Sequence, residues 1–248
     1  MTDWPTLLEA TQPIRLAGTL LRLVESQEQT ATGELVGSLE RQYTLEVMLD
    51  ETKPPRRKGS EALHYLLSTP FRYPPLKHGS RFGTRSEPSL FYASLGIHTV
   101  LAEAAYYRFV FWFGMAKPPV GKLDTQHTVF EAAYRTASGL RLQYPPFAAH
   151  RDAISHPADY RASQALGAKM RAAGIEAFEF VSARDPDGGL NLALFTPRAF
   201  ARKAPVSQEA WLCELTGEHV RFLQARGRDF HEFPLGLFLV AGRLPWPA

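Results

Sequence analysis

The sequence predicts a mixed α+β domain, and three observations predict it. Its 248 residues are 45% hydrophobic and 21% charged, an ordinary balance for a folded domain long enough to bury a substantial core. Apolar residues recur at helical spacing in some stretches and alternate in others. These stretches do not alternate as regular βαβ units, which argues against a doubly wound parallel sheet.

Taken in order, the elements fall into three zones. Residues 1–58 read as a helical N-terminal extension. Leu16, Leu20, Leu23 and Val24 recur at helical spacing, as do Val36, Leu39, Tyr43 and Val47, with a turn at 30–33 between them. The run Lys53-Pro54-Pro55-Arg56-Arg57-Lys58 ends this zone, because paired prolines break helices.

Residues 59–205 form the central zone. A short helix at 61–67 is expected to stop before Pro70, and a strand at 90–93 follows an irregular stretch rich in Pro, Gly and Arg. Thr99 is placed to cap a long apolar helix that reaches Met115. Ser138-Gly139 reads as the turn of a hairpin between 128–136 and 140–144. A helix over 163–173 ends at Gly174, a residue suited to the left-handed position after a helix. Phe178, Phe180 and Ser182 then share one face of a strand, which returns over 191–195 after a turn at 185–189. Residues 206–248 add a hairpin, 210–215 and 219–223 around Thr216-Gly217, and a tail packed on the core. No internal repeat is present.

Composition and motif content narrow the function classes. The apolar run from Val100 to Met115 carries Glu103 and Arg108 and is shorter than a membrane span. The first residues lack the basic start and apolar core of a signal peptide, and Cys213 is the single cysteine, so a cytoplasmic location without disulfides is expected. Cys213 falls in a predicted strand and reads as a buried structural thiol. The formal charge of +3 implies no nucleic-acid partner by itself. The Lys53–Lys58 run reads as a solvated linker, with phosphate contact as the sharper alternative. There is no Walker loop, no dinucleotide glycine motif, no Gly-x-Ser-x-Gly elbow and no metal-ligand spacing among the eight histidines.

What remains is one constellation: Phe71-Arg72-Tyr73, Gly79-Ser80-Arg81-Phe82-Gly83, Phe91-Tyr92-Ala93-Ser94, and Thr99 through Glu103. The planar fork of an arginine on a loop suits a diphosphate. A tyrosine offers a ring face and a hydroxyl to a nucleoside. A carboxylate in the first turn of an apolar helix is partly desolvated, so its charge acts strongly on a developing cation. Spacing alone also allows a plainer arrangement, in which Arg72 and Glu103 form a salt bridge and Tyr92 is core.

Together with Phe180-Val181-Ser182-Ala183-Arg184, these segments resemble the RES domain family over about residues 67–200, including a tyrosine-to-glutamate step of 103 − 92 = 11 residues. The resemblance implies an ADP-ribosyltransferase-like core of two small sheets clasping NAD⁺. It implies cleavage of the nicotinamide–ribose bond by phosphorolysis or hydrolysis, with inorganic phosphate as a co-substrate in the first case and no metal. Glu103, Arg72 and Tyr92 then take the catalytic roles. Arg72, Arg81 and Tyr92 hold the dinucleotide together with a serine, Ser182 or Ser163. The resemblance also implies the NAD⁺-depleting toxin of a type II pair, held inactive by an Xre-like antitoxin. The same cleft would suit mono-ADP-ribosylation of a protein, and the Lys53–Lys58 run leaves a nucleic-acid-binding module as the non-enzymatic reading.

Overall fold

The computed structural model describes residues 2–26 and 38–246. The expected turn at 30–33 and Val36 lie outside the described residues. Among the described residues eight strands form one hydrogen-bonded sheet in the order β1-β2-β5-β4-β3-β6-β7-β8, where β1 is Ile14–Glu25, β2 Phe91–Ser94, β3 Leu123–Arg141, β4 Ala177–Val181, β5 Leu190–Leu194, β6 Ser207–Leu215, β7 His219–Gln224 and β8 Phe230–Pro234. A further pairing of β1 with β3 closes β1, β2, β5, β4 and β3 into a ring. The class is therefore α+β, as expected, but the two small sheets are fused into one network through β1 and β3.

Among the described residues the α-helices are α1 (Trp4–Glu9), α2 (Leu39–Thr52), α3 (Tyr65–Arg72), α4 (Ile97–Gly114), α5 (Arg151–Ile154) and α6 (Arg161–Ala172). Three cores hold them to the sheet. Leu101, Tyr106, Phe109 and Trp112 of α4 pack on Trp211, Leu215, Val220 and Phe233. Leu166 and Met170 of α6 pack on Phe82, Phe178 and Phe180, with Trp4 at the edge. Leu66, Leu67 and Phe71 of α3 pack on Leu16, Leu20, Phe91 and Phe130. Each fully buried side chain of this size contributes roughly 1.5–3 kcal/mol, which secures the placement of all three helices.

The first zone departs from the reading of its pattern. Residues 14–25 form a strand that runs antiparallel to β3 from Ile14–Gly139 to Glu25–His127. Leu16 and Leu20 are four apart, a spacing that fits one face of a strand as well as one face of a helix, and pairing with β3 decides between them. The second half of the zone is helical, as α2, with Leu39, Tyr43 and Val47 exposed.

Other boundaries moved for local reasons. The short helix begins later, with the His64 ring accepting from the Leu66 amide at 3.3 Å, and it contains Pro70 instead of stopping before it. A proline in the final turn costs one backbone hydrogen bond, and α3 ends two residues later. Thr99 does not cap α4. The helix begins at Ile97 after an extended Gly96. Ser138-Gly139 is not a turn, because β3 continues through it to Arg141. A Cβ at Gly139 would collide with the Leu16 side chain, so the glycine permits close strand passage. The helix ending before Gly174, whose φ is +74°, and the β6–β7 hairpin follow the sequence pattern, and β8 extends that hairpin.

Candidate active site

The site lies where α4 faces the ends of β2, β4 and β5. Glu103 stands in the second turn of α4, not the first, four residues beyond Thr99 on the same helical face. Two side chains fix its carboxylate. The Ser182 hydroxyl and the Asn191 amide each donate to Oε1 at 2.6 Å. Asn191 is oriented in turn by Ser94, whose hydroxyl donates to Oδ1 at 2.7 Å. Ser182 follows the last residue of β4, and its oxygen accepts from the amides of Arg184 and Asp185, both at 3.0 Å. Asp185 receives the Thr99 hydroxyl at 2.7 Å, so the β4–β5 loop grips α4 at two points one turn apart.

Glu103 opens on a cavity of about 340 Å³ that is also lined by Arg22, Arg81, Arg184, Tyr92, Tyr160 and Asn191. The three arginines are held by carbonyls and ring faces. Arg22 donates to the Tyr92 carbonyl at 2.5 Å and lies 5.0 Å from the Phe91 ring centroid. Arg81 donates to the His156 carbonyl at 2.7 Å and sits 4.6 Å over Tyr160. Arg184 donates to the Pro157 carbonyl at 2.5 Å and lies 3.4 Å over Tyr106. Among the described residues no carboxylate is ion-paired with any of the three. Burial pulls the Arg22 guanidinium down to about 10, still protonated at neutral pH. A partly desolvated cavity with three cations and one carboxylate favours an anionic ligand.

Tyr92 shapes the wall. Its hydroxyl lies 2.9 Å from the Ser80 hydroxyl and accepts from the Phe82 amide at 3.0 Å, which pins the loop carrying Arg81. Burial pushes this phenol up to about 12, so it stays neutral and cannot serve as a base near pH 7. The other side of that loop rests on α6, where a Cβ at Gly167 would strike the Phe82 backbone. Only glycine permits that approach.

Arg81, Tyr92 and Glu103 therefore converge, and Ser182 joins them through Glu103. Two expectations are corrected. Arg72, in the last turn of α3, donates through Nε to the Pro54 carbonyl and is not among the residues lining the cavity. It does not pair with Glu103 either, whose partners are Ser182 and Asn191. Ser163 is fully buried in α6, donates to the Tyr160 carbonyl at 3.1 Å, and does not line the cavity. Sequence reasoning missed Arg22, Arg184, Tyr160 and Asn191. Arg22 lies between Leu20 and Val24 on the inward face of a strand, and a charge there was the signal that the helical reading hid.

One group among the described residues could hold a metal ion, with ligand atoms of His98, Asp185 and Asp187 within 4.8 Å of one another. The Asp185 carboxylate already accepts from Thr99 and from the Asp187 amide, so its present geometry serves the loop. No helix among the described residues is long and apolar enough to cross a membrane.

The RES domain model matches residues 54–216, more than half of the chain. The chain belongs to the RES domain family. In this RES domain the matched segment contains Arg81, Tyr92, Glu103, Ser182, Arg184 and Asn191, while β1 with Arg22 precedes it. No curated protein sequence matches the chain significantly. Among solved structures, one that is similar is titled as the crystal structure of the M. tuberculosis MbcT–MbcA toxin–antitoxin complex. It shares 11% identity over 86% of this chain and 92% of that chain, with a TM-score of 0.49.

Proposed function

We propose that this RES domain protein cleaves the bond between nicotinamide and ribose in NAD⁺. The observation that carries the reading is the Glu103 carboxylate, fixed by two donors, on the wall of a cavity with three arginines that no carboxylate among the described residues pairs with. The arginines would receive the diphosphate, for which the guanidinium fork is suited. As the C1″–N bond breaks, its electron pair leaves with nicotinamide and the ribose becomes cationic. Glu103 lowers the barrier by stabilising that cation and by accepting a ribose hydroxyl. Ser182 and Asn191 occupy Oε1, so Oε2 is the oxygen left for the substrate. Tyr92 and Tyr160 form the walls against which the ring and ribose are held.

The acceptor then adds to C1″. Inorganic phosphate gives ADP-ribose-1″-phosphate, and water gives ADP-ribose with loss of a proton. Phosphate is the favoured acceptor, because a cavity this cationic can draw in a second anion. The family membership supports a reading of this chain as the toxin of a toxin–antitoxin pair, and we propose that it depletes NAD⁺ until an antitoxin with an Xre-like helical domain binds it. The Lys53–Lys58 run does not favour nucleic acid: Arg57 rests on the Phe71 ring at 5.5 Å and donates to the Ser89 carbonyl at 3.0 Å, so that residue serves packing.

The test is NAD⁺ consumption with and without inorganic phosphate, followed by mass analysis. Phosphorolysis predicts ADP-ribose-1″-phosphate only when phosphate is present. ADP-ribose in both reactions means hydrolysis, a labelled protein band means ADP-ribosyl transfer, and unchanged NAD⁺ contradicts the proposal.

A further inference from the structure

Arg22 borders two cavities. Beyond the one that holds Glu103, a second of about 290 Å³ opens between the end of β1, α3 and β6, and Arg22 belongs to the lining of both. Both lie near the lower limit of ordinary ligand pockets, roughly 300–1,000 Å³, and Arg22 is the residue that lines both, so its cation stands at the boundary between two lobes. The Arg22 Nε is buried without a hydrogen-bond partner, and among the described residues no carboxylate pairs with the guanidinium. Such a group is costly unless an anion meets it. A molecule built as nucleoside, diphosphate, nucleoside carries its negative charge in the middle, which matches a cation between two lobes.

The second lobe has the chemistry of a nucleoside site. The Tyr65 ring at its rim is 60% exposed and offers a face to a purine, with Leu66 and Pro70 as apolar neighbours. Thr69 and Gln208 present a hydroxyl and an amide for the polar edge of a base. Glu25 supplies a carboxylate of the kind that accepts ribose hydroxyls in dinucleotide sites, and Arg108 holds it at 3.3 Å. We propose that the cavity between β1, α3 and β6 is the subsite for the adenosine half of the dinucleotide, with Arg22 at the diphosphate between the lobes. The inference rests on the NAD⁺ reading of the Glu103 cavity. Apart from Arg22, which the Glu103 cavity shares, it uses residues outside that cavity.

The experiment compares NAD⁺ with nicotinamide mononucleotide, which carries the same scissile bond but no adenosine half, in the full-length protein and in Thr69→Trp. Thr69 is exposed on α3, so the indole would occupy the second lobe without entering a core. The expected result is a rise in KM for NAD⁺ of about tenfold or more, with KM for the mononucleotide changed less than about twofold, on the scale of one lost nucleoside contact. AMP is expected to raise the melting temperature of the wild-type protein and not that of Thr69→Trp. If the variant melts early, Gln208→Trp on the exposed side of β6 repeats the comparison. An unchanged KM for NAD⁺ in a variant that melts normally overturns the subsite. If the wild-type protein cleaves neither compound, the NAD⁺ reading fails instead, and AMP stabilisation alone decides whether the lobe binds a nucleotide.

Discussion

Ser182 Oγ donates to Glu103 Oε1 at 2.6 Å, joining the end of β4 to α4 across 79 positions of sequence. The same oxygen accepts the amides of Arg184 and Asp185, so one hydroxyl fixes both the loop and the carboxylate. Its removal is therefore expected to act on structure and activity together.

Ser182→Ala strands two buried amides and leaves Glu103 held by Asn191 without the serine. A loss of roughly 1–3 kcal/mol in stability is expected, the scale of buried groups left unsatisfied. Nicotinamide release should fall in parallel, with Ser182→Thr recovering most of both because it keeps the hydroxyl. Urea denaturation and initial rates check this. A Ser182→Ala protein with unchanged rate would detach the serine from Glu103 function.

Arg22 and Arg72 make opposite predictions. Arg22 lines the cavity, whereas Arg72 donates to the Pro54 carbonyl elsewhere. Arg22→Lys keeps charge but loses the fork, and turnover of NAD⁺ is expected to drop by about 10²-fold, the scale of one electrostatic donor. Arg72→Lys should leave turnover within about threefold. Steady-state rates on both variants decide, and the reverse ranking would move the diphosphate site to α3.

His127 makes stability depend on pH. The ring is 3% exposed in β3, bonded to the Thr125 hydroxyl at 2.9 Å, and burial, aided by the Arg108 cation, lowers it from 6.5 to about 4. Below 6.5 the unfolded chain takes up a proton that the folded chain refuses, so stability falls as pH drops from about 6.5 towards 4 and levels beneath that. The full span corresponds to at most about 3.5 kcal/mol. Urea midpoints of wild type and His127→Gln across that window should converge as pH falls, and parallel curves would contradict the assignment.

Much of the site was legible because its residues sit in short motifs. Gly79-Ser80-Arg81-Phe82, Tyr92 and Glu103 lie within 25 positions, and each element near them has a strong local pattern. Arg22 was not legible as a site residue, because a four-residue leucine spacing fits a helix and a strand equally and pairing with β3 is a long-range event. Arg72 was misplaced for the converse reason. A motif beside the right loop says nothing about which way a helix turns its last residue, and α3 aims Arg72 at Pro54. The continuous β3 likewise depends on Leu16 crossing Gly139, a contact between distant positions that a hairpin signal cannot anticipate.

The most direct test of the central claim is nicotinamide release from NAD⁺ by the wild-type protein and by Glu103→Gln, measured beside their melting curves. Release by the wild type and a loss of about 10³-fold or more in the variant are expected, because a neutral amide cannot stabilise the ribosyl cation. The melting temperature should shift by only a few degrees, since the volume is kept. A folded Glu103→Gln protein that releases nicotinamide at the wild-type rate would contradict that claim.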